Sequence, residues 1–165
     1  MAMNHEEIIR PASGDHCIVN TRVFNCSKAQ LFEAWKNPVY LKQWWGPNGF
    51  TNTFHVFDFR IGGRWKFTMH GPEKGHYENE VEFVVIEEAR CILWKRLTKP
   101  LFTIKADFVE RDAERCELFF TMIFDTPEEC EKLRPFVVDK NEENFDRLER
   151  VLNGMSEKMQ GDKLG

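Results

Sequence analysis

The stretch between Trp44 and Tyr77 constrains the fold most, because glycine-containing turns divide it and apolar residues alternate with charged ones between those turns. One alternating run begins at Arg64 and ends at His70, and the next begins at His76. A period of two is typical of a strand that buries one of its faces. The stretch therefore predicts adjacent antiparallel strands with aromatic side chains gathered on one face of the sheet.

The charges in this stretch predict how its two central strands pair. In the register that places His70 opposite His76, opposite charges meet on the outer face, as the pairs Lys66–Glu80 and Arg64–Glu82. The inner face then receives the pairs Trp65–Val81, Phe67–Asn79 and Met69–Tyr77. A shift of one residue would mix the two faces and expose the aromatic residues, so we expect this register.

Five further strands are predicted from the same pattern, at residues 16–24, 51–59, 90–97, 102–110 and 115–124. A two-residue turn at Glu88-Ala89 would place Lys95 opposite Glu82 outside and Trp94 opposite Phe83 inside. The inner faces of the last two strands are almost wholly apolar: Phe102, Ile104, Ala106 and Phe108 on one, Leu118, Phe120, Met122 and Phe124 on the other. The strand at residues 51–59 is apolar on both faces, so its inner side stays unassigned.

Two short helices are predicted after the first strand. Ser27 and Gln30 have the spacing of a capping box, which begins a helix that ends near Trp35. Asn37-Pro38 combines a capping residue with proline at the first helical position, so a second helix begins there and ends near Trp44.

The C-terminal part of the chain predicts a longer helix. Thr126 and Glu129 form a second capping box, Pro135 should interrupt the helix that follows, and a further helix should cover residues 140–159. That helix has one apolar stripe, which contains Phe145, Leu148, Leu152, Met155 and Met159. Two charged pairs are expected on its solvent side, Glu143–Arg147 and Asp146–Arg150.

Composition excludes several classes of protein. The net charge of -4 argues against the basic face that nucleic-acid binding needs, and no apolar run approaches the ~18 residues of a membrane span. The 15 Phe and 5 Trp, against 2 Tyr, predict an apolar interior or cavity wall. The five cysteines have no CxxC spacing, so we expect buried, reduced thiols in a cytoplasmic protein, without a zinc cluster or disulfide framework: Cys17, Cys26, Cys91, Cys116 and Cys130. No cofactor is expected.

Several motifs together resemble one bacterial family. They are Trp45-Gly46-Pro47, Arg60-Ile61-Gly62-Gly63 with Trp65 and Phe67, Gly71-Pro72, Tyr77, and the run Asn144-Phe145-Asp146-Arg147-Leu148. Over about residues 18–152 the chain resembles small bacterial proteins related to the activator of the 90-kDa heat-shock protein ATPase, within the START/SRPBCC superfamily. The resemblance implies an α+β helix-grip fold, in which a curved antiparallel sheet of six to seven strands wraps around a long C-terminal helix. We expect a single domain at residues 15–159, a loose arm at 1–14 and a frayed tail at 160–165.

The same resemblance implies a hydrophobic cavity between the sheet and the C-terminal helix, suited to lipids, polyketides or other apolar molecules. Such a cavity would have a volume of roughly 300–1,000 Å³. Together with the inner-face pattern, the resemblance predicts these lining residues: Trp65, Phe67, Met69, Tyr77, Asn79, Val81, Phe83, Trp94, Arg96, Ile104, Ala106, Phe108, Phe120, Met122, Phe145, Leu148 and Leu152. We assign no catalytic residue and no metal ligand.

Chemical interpretations of other residues are weaker than structural ones. Gly62-Gly63 lacks the pattern of a phosphate loop and fits a tight hairpin. His70 and His76 face each other across a turn, but the sequence offers no third metal ligand. Asp58 and Arg60 could form an acid–base pair, and an ion pair that braces the glycine turn is the favoured role.

Three hypotheses for function follow. The leading one is a cytosolic binding protein for a small apolar or aromatic ligand, whose carboxylate Arg96 could bind unless that side chain reaches solvent. The second is a cyclase or hydrolase in which Tyr77, His55 or Arg96 polarises a carbonyl. The third is a chaperone-interacting module that stimulates an ATPase. It ranks last, because activator proteins carry an additional N-terminal domain that residues 1–14 are too short to supply. A second copy of the chain is a further open partner, and neither nucleic acid nor a membrane span is expected.

Overall fold

The computed structural model describes residues 16–164, and side chains are described as far as residue 156. Seven strands and three helices follow one another in these residues: β1 (Cys17–Phe24), α1 (Lys28–Lys36), α2 (Pro38–Trp44), β2 (Thr51–Phe57), β3 (Arg64–His70), β4 (His76–Glu87), β5 (Cys91–Arg96), β6 (Thr103–Asp112), β7 (Arg115–Ile123) and α3 (Pro127–Leu164).

The strands form one curved antiparallel sheet in the order β1-β7-β6-β5-β4-β3-β2. Helix α3 packs against β1 and also against α2, and α1 packs against β6 and β7. The core between these layers is aromatic, and Trp35, Trp44 and Trp65 are each at most 1% exposed. The predicted helix-grip fold is therefore confirmed, because the apolar face of the sheet and the helices bury one another.

The predicted register of the central hairpin is confirmed at every pair between Arg64–Glu82 and His70–His76. On the outer face, Arg64 Nη1 lies 3.2 Å from a carboxylate oxygen of Glu80, and Arg64 Nη2 lies 3.3 Å from one of Glu82. On the inner face, Trp65 and Phe67 are buried. Lys66 and Glu80 are cross-strand neighbours, as expected.

The turn between β4 and β5 differs from the prediction by one residue. Glu87 pairs with Cys91, so three residues form the turn, with Ala89 at a φ of 56°. A bulge at Val84 absorbs the extra residue. Beyond the bulge Phe83 lies opposite Trp94, as predicted, because the two irregularities compensate for each other.

A second bulge decides the inner side of β2. Phe54 pairs with Phe67 whereas Val56 pairs with Lys66, so His55 is the extra residue. The bulge brings Phe54 and Phe57 to the same face, where their ring centroids lie 5.3 and 5.8 Å from that of Trp65. Apolar residues occur at both even and odd positions of this strand because the bulge exchanges, at its middle, which positions face the core.

Helix α3 is continuous from Pro127 to Leu164, with Pro135 inside it. The prediction that Pro135 interrupts the helix was wrong. Cys130 before the proline and Phe145 after it are both fully buried, so packing on either side offsets the lost backbone hydrogen bond. The helix includes residues 160–164, and fraying of this end stays a prediction.

Neither of the two charged pairs predicted within α3 forms, because their acids pair with other cations. Asp146 pairs with Arg22 of β1, with a nitrogen–oxygen distance of 2.9 Å, instead of pairing with Arg150. Glu143 lies 3.6 Å from the amine of Lys140 instead of pairing with Arg147. Sequence spacing indicates which side chains could meet along a helix, but the docked strand offered Asp146 a cation from outside it.

The first capping box is half formed. The Ser27 hydroxyl accepts a hydrogen bond from the backbone N–H of Gln30 at 3.1 Å. The side chain of Gln30 donates instead to the carbonyl of Leu152 and the hydroxyl of Ser156 on α3. The amide therefore joins two helices rather than closing the cap.

Within residues 16–164, none of the helices combines the length and apolar character that are needed to cross a bilayer. The predicted arm at residues 1–14 lies outside the described residues.

Candidate ligand-binding pocket

A pocket of about 160 Å³ lies between the inner face of the sheet and α3. Most of its wall is apolar, and its polar groups belong to a few amides and two cations. Its lining residues are Trp45, Gly46, Pro47, Phe67, Met69, Asn79, Val81, Trp94, Arg96, Phe102, Ile104, Phe120, Met122, Lys140, Asn141 and Asn144. The volume is smaller than the roughly 300 Å³ expected from the sequence, because aromatic side chains fill most of the space beneath the helix.

The structure places the predicted lining residues in three groups. Those that line the pocket are Phe67, Met69, Asn79, Val81, Trp94, Arg96, Ile104, Phe120 and Met122. Those that are packed in the core outside the pocket are Trp65, Phe83, Ala106, Phe108, Phe145, Leu148 and Leu152. Tyr77 is 55% exposed and lies outside the pocket, with its ring 6.2 Å from that of Phe50.

Sequence reasoning missed the part of the wall that does not belong to the sheet's alternating strands. Trp45, Gly46 and Pro47 come from the connection between α2 and β2, and Asn141 and Asn144 come from α3. The signal was present, because Trp45-Gly46-Pro47 and the run that begins at Asn144 are two of the motifs that carry the family resemblance. Nothing in the spacing indicated that these two motifs meet.

Arg147 joins the two motifs. Its Nη1 donates to the carbonyls of Gly46 and Pro47 at 2.8 and 2.9 Å, and its Nη2 donates to those of Gln43 and Phe50 at 2.9 Å each. Burial lowers the pKa of Arg147, and the charge of Arg150 adds to this effect. The fixed fork of a guanidinium suits several carbonyls at once, so Arg147 holds the connection between α2 and β2 against α3.

Two asparagines complete this side of the pocket. Asn144 Oδ1 accepts a hydrogen bond from the backbone N–H of Gly46 at 3.1 Å. Asn141 Nδ2 donates to Asn20 Oδ1 of β1 at 3.0 Å. Both side chains are at most 9% exposed, so they form a buried polar seam between α3 and the rest of the wall.

Gly46 has a conformation that only glycine adopts easily. Its φ is +101°, and a Cβ atom there would lie 2.8 Å from Cε of Met69. A larger residue would strain the backbone and press on a lining side chain. The glycine therefore lets the connection between α2 and β2 approach β3 closely enough to form one wall of the pocket.

Arg96 is the partly buried cation of the pocket. Its Nε donates to the carbonyl of Thr98 at 2.9 Å, its Nη2 to that of Lys99 at 3.3 Å, and its Nη1 to Oδ1 of Asn79. Its guanidinium carbon lies 5.5 Å from the ring centroid of Phe102. Burial lowers the pKa of Arg96. Arg96 ends β5, and its bond to Lys99 is exposed whereas its bonds to Thr98 and Asn79 are partly buried, so the side chain lines the pocket and also approaches solvent.

The pocket has a narrow aromatic boundary toward a surface groove. Phe102 lines the pocket, and its ring centroid lies 5.7 Å from that of Phe124. Phe124, Pro100, Leu101 and Leu133 line the groove on the other side. The Phe102–Phe124 pair therefore separates the pocket from a second apolar surface.

The histidines singled out by the sequence lie outside the pocket. Nδ1 of His70 and Nδ1 of His76 are 2.7 Å apart, and Nε2 of His70 lies 2.8 Å from the Thr53 hydroxyl. His55 is exposed, and its ring contacts Thr68. Among the described residues, no group of three or more potential ligands could hold a metal ion. The histidine pair belongs to the hydrogen-bonded outer face of β2, β3 and β4.

The glycine turn between β2 and β3 is structural. The backbone N–H of Gly62 donates to the carbonyl of Phe83 at 2.8 Å, and a Cβ atom on Gly63 would lie 2.1 Å from the carbonyl oxygen of Asp58. Arg60 Nε lies 2.7 Å from a carboxylate oxygen of Asp58, in the bracing role that was favoured. The turn uses its backbone donors to bind β4.

All five cysteines are buried. Burial raises the pKa of the Cys26 and Cys91 thiols to about 12 and that of Cys116 to about 11. These thiols stay protonated at neutral pH, and a protonated thiol is a poor nucleophile and a poor metal ligand.

The sequence matches the family described as "Activator of Hsp90 ATPase homolog 1-like protein" over residues 25–153. The chain belongs to this family. The match spans both motifs that Arg147 joins, so the wall of the pocket lies within the family's own region. Among curated proteins, none matches the sequence.

Solved structures share the fold of this family member at low sequence identity. A crystal structure of a Nitrosomonas europaea protein has a TM-score of 0.80 and 16% identity, over 88% of this chain and 99% of that one. A solution structure from Arthrobacter aurescens has a TM-score of 0.79 and 16% identity, over 89% and 92%. An AHSA1 protein from Silicibacter pomeroyi has a TM-score of 0.65 and 16% identity, over 83% and 97%. At these identities the likeness shows the fold.

Proposed function

We propose that this protein binds a small apolar or aromatic molecule in the pocket between the sheet and α3. The observation that carries the proposal is a pocket in the middle of a tightly packed aromatic core, walled by Trp45, Trp94 and Phe120. Packed cores rarely contain open volume larger than a few water molecules. An apolar void of ~150 Å³ is enough to hold benzene in an engineered protein.

The enzyme alternative is less well supported. Two of the three residues proposed to polarise a carbonyl, Tyr77 and His55, are exposed and lie outside the pocket. Arg96 lies in the wall and could donate to a carbonyl, but its guanidinium cannot act as a general base, and the described lining residues include no His, Asp, Glu, Cys or Tyr that could. Binding by apolar burial requires none of these groups to exchange protons, so we prefer a carrier or sensor to a cyclase or hydrolase.

The family description favours a second candidate, an interaction that activates the ATPase of the 90-kDa heat-shock protein. A cytoplasmic location fits both candidates and is part of the proposal, because Cys26, Cys91 and Cys116 are free thiols. Native mass spectrometry of freshly purified protein separates the two functions. A co-purified small mass supports ligand binding, whereas an apo protein that stimulates the chaperone ATPase and takes up no apolar probe supports the second candidate.

A pair of variants tests whether the pocket is the binding site. Ile104 lines the pocket and Ala106, two residues along the same strand, is buried outside it. We expect Ile104→Phe to fill the void and abolish the binding of toluene, with little loss of stability. Ala106→Phe should instead overpack the core and destabilise the protein by about 1–3 kcal/mol. Toluene uptake, followed by the fluorescence of Trp45 and Trp94, that survives Ile104→Phe would contradict the proposal.

A further inference from the structure

Resting on the proposed function, we infer that the pocket takes a small molecule with one apolar ring and an anionic group, and that Arg96 binds the anionic group. The pocket would then recognise the charge of its ligand as well as its apolar shape.

Arg96 has no counter-ion in the described part of the chain. Among the described residues, no carboxylate lies within ion-pair distance of its guanidinium, and its hydrogen-bond partners are two carbonyls and an amide. Arg22, in contrast, lies within 3.6 Å of carboxylates of Glu142, Asp146 and Glu149. A partly buried cation without an anion is expensive to maintain, which makes Arg96 a site for an anion.

Arg96 also has N–H groups that its described contacts do not use. A guanidinium carries five N–H groups in a fixed fork, and the described contacts of Arg96 use one on each nitrogen. Two N–H groups are therefore left for another acceptor. Asn79, which also lines the pocket, holds the fork in place because its Oδ1 accepts from Nη1 and its Nδ2 donates to the carbonyl of Tyr77. A carboxylate accepts two N–H groups of a fork at once.

The other residues that line the pocket do not neutralise the charge of Arg96. The lining residues include no Asp or Glu, and their other cation, Lys140, is exposed and lies 3.6 Å from Glu143. The wall therefore carries one uncompensated positive charge, at Arg96. Asn144 Nδ2 has no partner among the described residues, so it offers the pocket a neutral donor.

The volume of the pocket limits the size of the ligand. The pocket measures about 160 Å³, close to the ~150 Å³ void that accommodates a single benzene ring. Met122, Val81 and Phe67 supply apolar contacts to such a ring. The expected ligand class is therefore a one-ring aromatic carboxylate or a short-chain apolar acid, rather than a lipid or a polyketide.

Benzoate and benzamide form the test, because they share a shape and differ in charge. We expect calorimetric titration to give a dissociation constant for benzoate about ten- to a hundred-fold below that for benzamide. Arg96→Gln should remove this difference and leave benzamide binding within about two-fold of the parent. Arg96→Lys keeps the charge without the fork and should give an intermediate preference. The control, Arg60→Gln, removes an exposed arginine outside the pocket and should change neither constant.

The outcomes separate the two proposals. Equal binding of both probes to the parent, lost in Ile104→Phe, would overturn the role of Arg96 and leave the pocket as a binding site. A benzoate preference that survives Ile104→Phe places the anion outside the pocket and also overturns the inference. Failure of both probes to bind the parent overturns the inference and the proposed function together. The comparison of the two probes on the parent stands even where Arg96→Gln fails to fold.

Discussion

Arg147 makes one side chain responsible for the shape of a whole wall. Its hydrogen bonds reach carbonyls from Gln43, in the last turn of α2, to Phe50, the residue before β2. No carboxylate among the described residues shares this guanidinium. The charge is therefore held by backbone dipoles alone, and the geometry of the fork matters more than the charge itself.

Replacing Arg147 by lysine should show this dependence on geometry. Arg147→Lys keeps the charge but cannot reach four well-separated carbonyls, so we expect a loss of about 1–3 kcal/mol in the free energy of unfolding, measured with urea. Arg150→Lys, three residues along the helix and exposed, is the matched control and should change it by less than about 0.5 kcal/mol. Equal stability of the two variants would mean that the hydrogen bonds of Arg147 do not contribute to the free energy of unfolding.

The buried thiols predict a loss of stability at alkaline pH. Their folded pKa values, about 12 for Cys26 and about 11 for Cys116, lie above the unfolded value of about 8.5. The folded protein therefore holds protons that the unfolded chain has released. The stabilisation is complete below pH ~8.5 and declines as pH rises toward the folded values, by at most about 1.4 kcal/mol per pH unit for each thiol.

Thermal or urea unfolding between about pH 7 and 10.5 measures this slope. Cys26→Ala should make the decline shallower by the contribution of one thiol. Ser27→Ala, next to it in sequence, removes a helix cap and should lower stability by about 0.5–2 kcal/mol at every pH, with an unchanged slope. An alkaline slope that is the same in Cys26→Ala and in the parent would contradict the assignment.

The sheet shows what alternation in sequence can and cannot predict. The pairing of β3 with β4 followed from charge, because one register brings opposite charges together on the outer face, as in Arg64–Glu82 and Lys66–Glu80, and keeps Trp65 on the inner face. The bulges at His55 and Val84 did not, because a bulge adds one residue without leaving a distinct residue type. Alternation also identifies a face but not a depth. It therefore grouped Ala106 and Phe108 with the pocket, although both lie in the core and Phe108 packs against Phe32 of α1.

The rest of the pocket wall depends on docking between distant elements. Asn141, Asn144 and Arg147 contact residues about 100 or more positions earlier in the chain. Each of them fits an exposed position of a helix equally well when the sequence is considered alone. Only the position of α3 on the sheet makes them part of a site.

Arg22 determines how α3 is held on β1. Its guanidinium lies 2.9 Å from carboxylates of Glu142 and Asp146 and 5.5 Å from the ring centroid of Phe145. Arg22→Gln would leave three neighbouring acids of the helix without their cation. Since the acids are about half exposed, we expect a loss of only about 1 kcal/mol at low salt, and less at high salt.

Salt-dependent urea unfolding measures this effect. Arg115→Gln is the control, because Arg115 is exposed and its one ion pair among the described residues is with Asp112, across the β6–β7 turn. It should change the free energy of unfolding by a few tenths of a kcal/mol at any salt concentration. A loss in Arg22→Gln that does not shrink with salt would assign the effect to packing on Phe145.

The whole molecule limits ligand size through one aromatic pair. Phe102 closes the pocket against the groove of Pro100, Leu101 and Leu133. Phe102→Ala should join the two spaces, so that 2-naphthoate binds the variant and not the parent, as measured by calorimetry. Because Phe102 is only partly buried, the cost in stability should stay below about 3 kcal/mol. Phe136→Ala, an exposed phenylalanine of α3, is the control and should leave naphthoate excluded.

Because β1 pairs with β7, it stays unpaired for most of the protein's synthesis on the ribosome. Residues 17–24 are made early, but β7, their strand partner in the described part of the chain, ends at Ile123. At about 5–20 residues per second, β1 waits roughly 5–20 s before its partner exists. During that time Ile18 and Phe24, each 1% exposed in the finished protein, have no sheet to cover them. Of the seven strands described, β1 therefore waits longest for a partner, because each of the others pairs with a strand next to it in sequence.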